Sequence, residues 1–232
     1  MVKRSFDIVL SLTALSVAWL PMAIIAATIK LTSPGPVLYC GSRVGRFGKD
    51  FRIFKFRSMV VDAEALGGSS TSNGDCRITP VGRFLRKYKL DELPQLFNVL
   101  FGQMSFVGPR PEVREYVDLY SAEEQAILNL RPGITDWASI WNSDEGSILA
   151  AFADPDQAYL DVIRPTKLKL QLLYGRNAGV WEDVKVIVST ARRLVDDSWQ
   201  PTTVLKHSEP LPAIQARHLE RLAAAEQPKA AA

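Results

Sequence analysis

From Ile8 to Ile29 the chain reads IVLSLTALSVAWLPMAIIAATI, 22 residues without a charge, bounded by Asp7 and Lys30. As one α-helix such a run would be about 33 Å long at 1.5 Å per residue, close to the hydrocarbon thickness of a bilayer. A segment this long and apolar belongs in a membrane. Pro21 falls within it, where it removes a backbone hydrogen bond and crowds the preceding turn, so a kink or break is expected there. Basic residues flank both ends, Lys3 and Arg4 before the run, and Lys30 then a cluster from Arg43 to Arg57 after it. The positive-inside rule therefore names no outside end. The geometry that answers both facts is a re-entrant hairpin: the helix enters from the cytoplasmic face, turns near Pro21 and returns, with Ser11 or Ser16 serving a freed carbonyl. A kinked full span is the competing geometry. A cleaved signal peptide fits poorly, because the uncharged run exceeds a usual signal h-region.

The remaining composition describes a folded body behind that helix. With 232 residues, 47% of them hydrophobic, the chain can bury a full core, which excludes a disordered charged segment and a disulfide mini-protein. A net charge of +3 is too small to argue for nucleic acid, and no nucleic-acid partner is expected. Its distribution is more telling. Arg43, Arg46, Lys49, Arg52, Lys55 and Arg57 face one acid, Asp50, within Gly41 to Val60, a pattern suited to phosphate or lipid headgroups. Cys40 and Cys76 form no disulfide framework, zinc pattern or CxxC, which fits a reducing compartment.

The expected fold class is α+β and mostly helical: a re-entrant membrane helix hairpin over 1–34, a compact cytoplasmic catalytic domain with interfacial helices over 35–199, and a flexible tail over 200–232. Ser33-Pro34-Gly35-Pro36 ends the membrane part. Val37 to Tyr39 and Phe51 to Phe56 alternate apolar and polar residues around Gly45 and Gly48, as a small β-hairpin would. Glu64 to Arg77 is polar and glycine-rich and reads as a flexible loop that could cover a ligand. Phe84, Leu85, Tyr88 and Leu90 interleave with Arg83, Arg86, Lys87 and Lys89 in a short amphipathic helix, suited equally to an anionic membrane interface or to an ordinary surface. Helices are also expected over Leu93 to Leu100, Ser121 to Leu130 with a Ser121/Glu124 capping box, Tyr159 to Tyr174, and Val180 to Val195. In the last, Trp181, Val184, Ile187, Val188, Ala191 and Leu194 form an apolar stripe.

Chemistry is concentrated in four places. Leu90-Asp91-Glu92-Leu93-Pro94 puts two adjacent carboxylates before a proline suited to a first helical turn, with Asp91 as N-cap. Ionised acids among Arg83, Arg86, Lys87 and Lys89 can attack phosphorus or ligate Mg²⁺ through hard oxygens. Dipole-matched capping is the plainer alternative. Pro109-Arg110-Pro111 holds one guanidinium between two rigid residues, a ready phosphate fork, or else a turn whose arginine meets Glu112. Lys55 and Arg57 share a strand face and could bind anions or simply be solvated. Arg131-Pro132-Gly133-Ile134-Thr135 offers another anion contact or a helix-ending turn. There is no P-loop, GxGxxG, HExxH or GxSxG. His207 and His218 lie in the expected tail, which argues against histidine chemistry.

Taken together, Lys3-Arg4-Ser5-Phe6-Asp7, Gly35-Pro36, Arg43-Val44-Gly45, Lys55-Phe56-Arg57-Ser58-Met59, Gly82-Arg83-Phe84-Leu85-Arg86, Leu90 to Leu100, Gly102 to Pro111 and Arg131 to Thr135 resemble the small monotopic phosphoglycosyl transferases, bacterial sugar transferases acting on undecaprenyl phosphate. The likeness covers about Val2 to Val195. It implies transfer of sugar-1-phosphate from a UDP-sugar to polyprenyl phosphate in the cytoplasmic leaflet of the bacterial inner membrane, with Mg²⁺, as a first membrane step of exopolysaccharide or glycoconjugate synthesis. By that likeness Asp91 is the nucleophile and forms a covalent phosphosugar. Glu92 helps hold Mg²⁺ or position Asp91, and Arg110, Arg131, Lys55, Arg57 and Arg83 bind phosphate or substrate. Three positions depart from the family pattern: Leu20 precedes Pro21 where serine is frequent, Asp136 stands where glycine is commoner, and Gln171 stands where many members carry aspartate. A catalytically silent scaffold for nucleotide-sugar or lipid phosphate, and a hydrolase indifferent to polyprenyl phosphate, are the competing functions. The sugar, the pathway and the oligomeric state, homodimer included, are not written in these motifs.

Overall fold

The computed structural model describes residues 2–66, 71–72 and 74–226. Its first element, α1, is one continuous 31-residue helix, Val2–Thr32, with Pro21 inside it. Ser11 donates to the Leu96 carbonyl at 2.8 Å and Ser16 to the Thr13 carbonyl at 2.8 Å. Neither hydroxyl therefore serves Val17, the residue four back whose carbonyl Pro21 cannot bond. Most of the helix surface is apolar and outward: Val9, Leu12, Val17, Trp19, Leu20 and Ile24 are each more than half exposed. One narrow face is docked. Asp7 and Ser11 are buried near its start, and Ile29 packs with Phe56 and Leu85 near its end, flanked by Met22, Ile25 and Ala26.

The expected hairpin follows. Strands β1 (Leu38–Val44) and β2 (Asp50–Phe56) pair antiparallel from Leu38 opposite Phe56 to Val44 opposite Asp50, so β1 runs longer than the sequence suggested. The turn between them needs left-handed backbone at Phe47 (φ 60°) and Gly48 (φ 72°). Val44, Ile53 and Phe56 point inward. Helix α2 (Pro80–Lys87) starts where Thr79 accepts the Gly82 N–H at 2.9 Å and Pro80 occupies the first turn, two start signals that act together. It buries Gly82 and Leu85 and leaves Phe84 and Tyr88 outside, their rings 4.9 Å apart.

A turn over Leu90–Glu92 leads into α3 (Gln95–Leu100). Strand β3 (Ser105–Val107), the short α4 (Arg114–Val117) and strand β4 (Gly133–Thr135) come next, and β3 and β4 pair in parallel. Helices α5 (Trp137–Trp141), α6 (Glu145–Leu149), α7 (Pro155–Ala158), α8 (Arg164–Asn177) and α9 (Val180–Val195) build the larger core around Trp137, Trp141, Leu149, Ile163, Leu170, Tyr174 and Val186.

Three expectations change, and a fourth lies partly outside the described residues. Ser121 and Glu124 do exchange capping-box bonds (2.7 and 3.3 Å), but the segment forms tight 3₁₀ turns over Glu124–Asn129 instead of an α-helix. On α9 the apolar stripe is mostly turned outward, only Ile187 of it packing against the main core. Trp181, Val188 and Leu194 are exposed, while Asp183, Val186 and Ser189 are buried, since polar bonds dock the opposite face. Beyond Gln200, where a loose tail was expected, α10 (Thr202–His207) and α11 (Leu211–Glu226) form, with Val204 and Leu211 in the main core. The expected mobile loop from Glu64 to Arg77 lies partly outside the described residues. Within the described part, Arg77 pairs with Asp75 at 2.6 Å and donates to the Ala63 carbonyl at 2.9 Å.

Candidate active site

Lys89 adopts a left-handed backbone (φ 56°), rare for a residue with a side chain, and this sharp reversal after α2 presents the Leu90–Glu92 turn. Asp91 is buried, 7% exposed, inside that turn. It does not cap α3 as expected, because helical turns already continue from Leu90 through Pro94, and no side chain caps α3. Its carboxylate has no hydrogen-bond partner among the described residues. Glu92, one residue on, is held from two sides. Lys55 reaches Oε1 at 2.8 Å, and Arg110 donates Nη1 to Oε2 at 3.1 Å and Nη2 to Oε1, a bidentate fork. Three sequence motifs far apart in the chain thus meet at one carboxylate.

The electrostatics separate the two acids. Burial opposes ionisation of Glu92, yet the charges and hydrogen bonds of Arg110 and Lys55 outweigh it and hold its carboxyl well below the usual range. Asp91 goes the other way. Lost solvent pushes its carboxyl up, the neighbouring Glu92 charge adds to that, and Lys55, Arg86 and Arg110 only partly offset it. Arg110 is held firmly protonated by Glu92.

Arg110 owes its place to a close backbone crossing. Gly133 N–H donates to the Pro109 carbonyl at 2.9 Å, and Ser105 N–H to the Pro132 carbonyl at 2.9 Å. A Cβ on Gly133 would lie 2.1 Å from the Gly108 nitrogen, and one on Gly108 2.3 Å from the Arg131 carbonyl oxygen, so both positions demand glycine. Beneath this, the fully buried Asp136 caps α5 through Ser139 N–H at 2.6 Å and accepts from Arg110 N–H at 3.3 Å and Gln171 Nε2 at 3.2 Å. Two of the three departures from the family pattern therefore touch each other behind Arg110.

Other expected contacts fall elsewhere. Glu112 does not meet Arg110. It pairs with Lys167 at 2.6 Å and accepts from Tyr159 Oη at 2.6 Å within the core. Arg57 is buried and spends its guanidinium on the Pro34 and Ser33 carbonyls at 2.6 and 3.0 Å, tying down the chain just after α1. Arg83 is exposed on α2, whereas Arg86, grouped in the sequence with Arg83, Lys87 and Lys89 around the two acids, acts on the Asp91 carboxyl. Helical spacing held that signal: Arg86 follows the buried Gly82 by four residues, one turn along the inward face. Arg131 is half-buried, and its guanidinium has no hydrogen bond or ion pair among the described residues.

Mg²⁺ takes one or two carboxylates and fills its remaining positions with phosphate and water. The Asp91 lone pairs are unspent and Glu92 is adjacent, so the donor set fits such an ion; no group of three or more metal-binding side chains occurs among the described residues.

The profile of bacterial sugar transferases matches residues 1–197, from the start of α1 through the end of α9. The chain belongs to the bacterial sugar transferase family. Within it, the chain is 38% identical over 197 residues, 84% of its length, to the Aeromonas hydrophila UDP-N-acetylgalactosamine-undecaprenyl-phosphate N-acetylgalactosaminephosphotransferase, of which the match covers 44%. It is 39% identical over 198 residues, 82% of its length, to the Komagataeibacter xylinus undecaprenyl-phosphate glucose phosphotransferase, of which the match covers 35%. It is 35% identical over 197 residues, 83% of its length, to the Caulobacter vibrioides UDP-glucose:undecaprenyl-phosphate glucose-1-phosphate transferase, covering 69% of that protein. The chain spans less than half the length of the first two relatives. In this member of the family the match ends before α10 and α11.

Proposed function

We propose that this protein transfers sugar-1-phosphate from a UDP-sugar to undecaprenyl phosphate through a covalent intermediate on Asp91. The observation that carries the reading is the division of labour between neighbouring acids: Glu92 is held by Lys55 and Arg110 with one Oε2 lone pair to spare, and Asp91 is left with unshared lone pairs among the described residues. In the first step an Asp91 carboxylate oxygen attacks the sugar-bearing phosphorus, the bond to the bridging oxygen of the diphosphate breaks, and UMP leaves with that electron pair. In the second an oxygen of the lipid phosphate attacks the same phosphorus and the carboxylate departs, giving the lipid diphosphate sugar. Arg110 and Lys55, carried beside Asp91 by Glu92, stand where they can offset the charge gathering on phosphorus, and the Arg131 guanidinium, unpaired among the described residues, is available to substrate. Mg²⁺ held by Asp91 and Glu92 would screen the diphosphate's negative charge from the nucleophile.

The membrane placement rests on α1. It is long and apolar enough to cross a bilayer, with a mean hydropathy of 2.2 in its most apolar window. Yet both its ends are bound to the same body: Asp7 and Ser11 to β3 and α3, and Ile29 to Phe56 and Leu85. That arrangement supports a helix whose ends share the cytoplasmic face, although its helical backbone runs through Pro21 without the expected break, with Phe84 of α2 and the following Tyr88 at the interface. The test is the full chain in liposomes containing undecaprenyl phosphate, supplied with UDP-glucose, UDP-galactose or UDP-N-acetylgalactosamine and Mg²⁺. UMP release that depends on both lipid phosphate and Mg²⁺, stops with EDTA, and vanishes in Asp91→Asn is expected. Undiminished release by Asp91→Asn would overturn the covalent mechanism. No release with any of the three donors would favour the silent scaffold.

A further inference from the structure

Most polar side chains near the start of helix α1 share one face, Ser5 being exposed off it. Lys3, Arg4, Asp7 and Ser11 fall along one stripe, at spacings that share a helix face. Asp7 Oδ1 accepts from Ser105 Oγ at 2.9 Å and from Phe106 N–H at 3.1 Å. Lys3 donates to the Val107 carbonyl at 3.0 Å and pairs with Asp183 at 2.5 Å. All three residues of β3 are thereby held by α1, and Arg110 follows Val107 by only three positions. The same stripe holds α3. Arg4 donates to the Val99 and Leu100 carbonyls at 2.5 and 2.7 Å, and Ser11 to Leu96. Helical turns run from Leu90 into α3, so this second grip reaches the turn bearing Asp91 and Glu92.

We infer that the first three turns of α1 are a positioning element of the transfer site, with Asp7 its central residue, setting Arg110 against Glu92 and Asp91. The inference rests on the reading of Asp91 and Arg110 given above. An anchor alone would not need Asp7. A carboxylate 1% exposed, with Oδ2 buried and unpartnered among the described residues, gives up most of its hydration, and an apolar residue there would anchor the helix at no such cost. Two bonds to one strand give that burial a purpose. Because the same helix carries the apolar run, the membrane and the catalytic groups are mechanically joined.

The experiment compares Asp7→Leu, Asp7→Asn, Ser105→Ala and Asp91→Asn in undecaprenyl-phosphate liposomes, using whichever of the three UDP-sugars gives most UMP. Flotation and thermal melting are measured alongside. Asp7→Leu is expected to lower kcat about 10²-fold with KM and flotation unchanged, the scale of an ångström-sized misplacement. Asn can still accept both bonds, so Asp7→Asn is expected to recover most of that loss. Ser105→Ala, which deletes one bond without introducing bulk, should cost about tenfold in kcat. That variant decides the matter if Asp7→Leu melts below assay temperature or leaves the vesicles. Asp7→Leu and Ser105→Ala both within threefold of the wild-type kcat, beside an inactive Asp91→Asn, overturn the positioning role alone. An active Asp91→Asn overturns the site reading instead.

Discussion

Glu92 accepts from Lys55 and Arg110, while Asp91, one residue earlier, accepts from no group among the described residues. Two consequences follow at this scale. The Asp91 carboxyl is raised in the folded state, so activity that needs its ionised form should fall at a pH above the ordinary aspartate range. Glu92→Gln removes the neighbouring negative charge that raises it. The acid limb of kcat/KM should then move to lower pH even as the plateau drops, and an unmoved limb would deny the coupling. Stability gives the second consequence. A group whose folded pKa is raised contributes stability at low pH and loses it as pH rises through that value. Asp91→Asn should therefore melt higher than the wild type at pH 7, with the difference disappearing toward acid pH. For a domain of this size about 2–4 °C accompanies each kcal/mol of relief. Function is placed here on a residue that the fold would rather keep neutral.

Among the elements, the parallel crossing of β3 and β4 and the hairpin β1–β2 do the aiming. Gly133→Ala would drive a methyl group to 2.1 Å from the Gly108 backbone nitrogen, with no flexible side chain to yield. It is expected to cost about 1–3 kcal/mol or more by the scale of overpacked sites, and to lower kcat by displacing Arg110; intact melting and activity would show the crossing to be slack. Arg57→Ala tests a different element. Losing both carbonyl contacts at Ser33 and Pro34 should loosen the end of α1 and lower the melting temperature, while UMP release per folded molecule changes little. A catalytic loss without a thermal one would return Arg57 to the phosphate site. Helix α9 teaches the same lesson in reverse. Its apolar period is plain in sequence, yet Lys3–Asp183 and Thr135–Thr190 dock the face with fewer large apolar residues.

At the scale of the whole molecule, the chain beyond Gln200 belongs to the core: Val204 and Leu211 are buried, and Trp141 donates to the Glu209 carbonyl at 2.8 Å. Val204→Ala with Leu211→Ala should cost about 3–6 kcal/mol in stability, the usual range for emptying such sites, and a denaturation midpoint equal to the wild type would make α10 and α11 an ornament. That region looked loose because proline, alanine and scattered charge show no periodicity of their own, and only a surface elsewhere in the chain makes them fold. The membrane run, the β-hairpin, the Ser121 cap, and the Asp91, Glu92 and Arg110 motifs were all readable from local pattern and spacing, because backbone geometry and apolar periodicity act over a few residues. Which cation meets which acid was not readable. Arg110 choosing Glu92 over Glu112, Arg57 serving backbone carbonyls, and Asp7 gripping β3 from 98 residues away are contacts across the chain, set only when packing brings distant segments within hydrogen-bond reach.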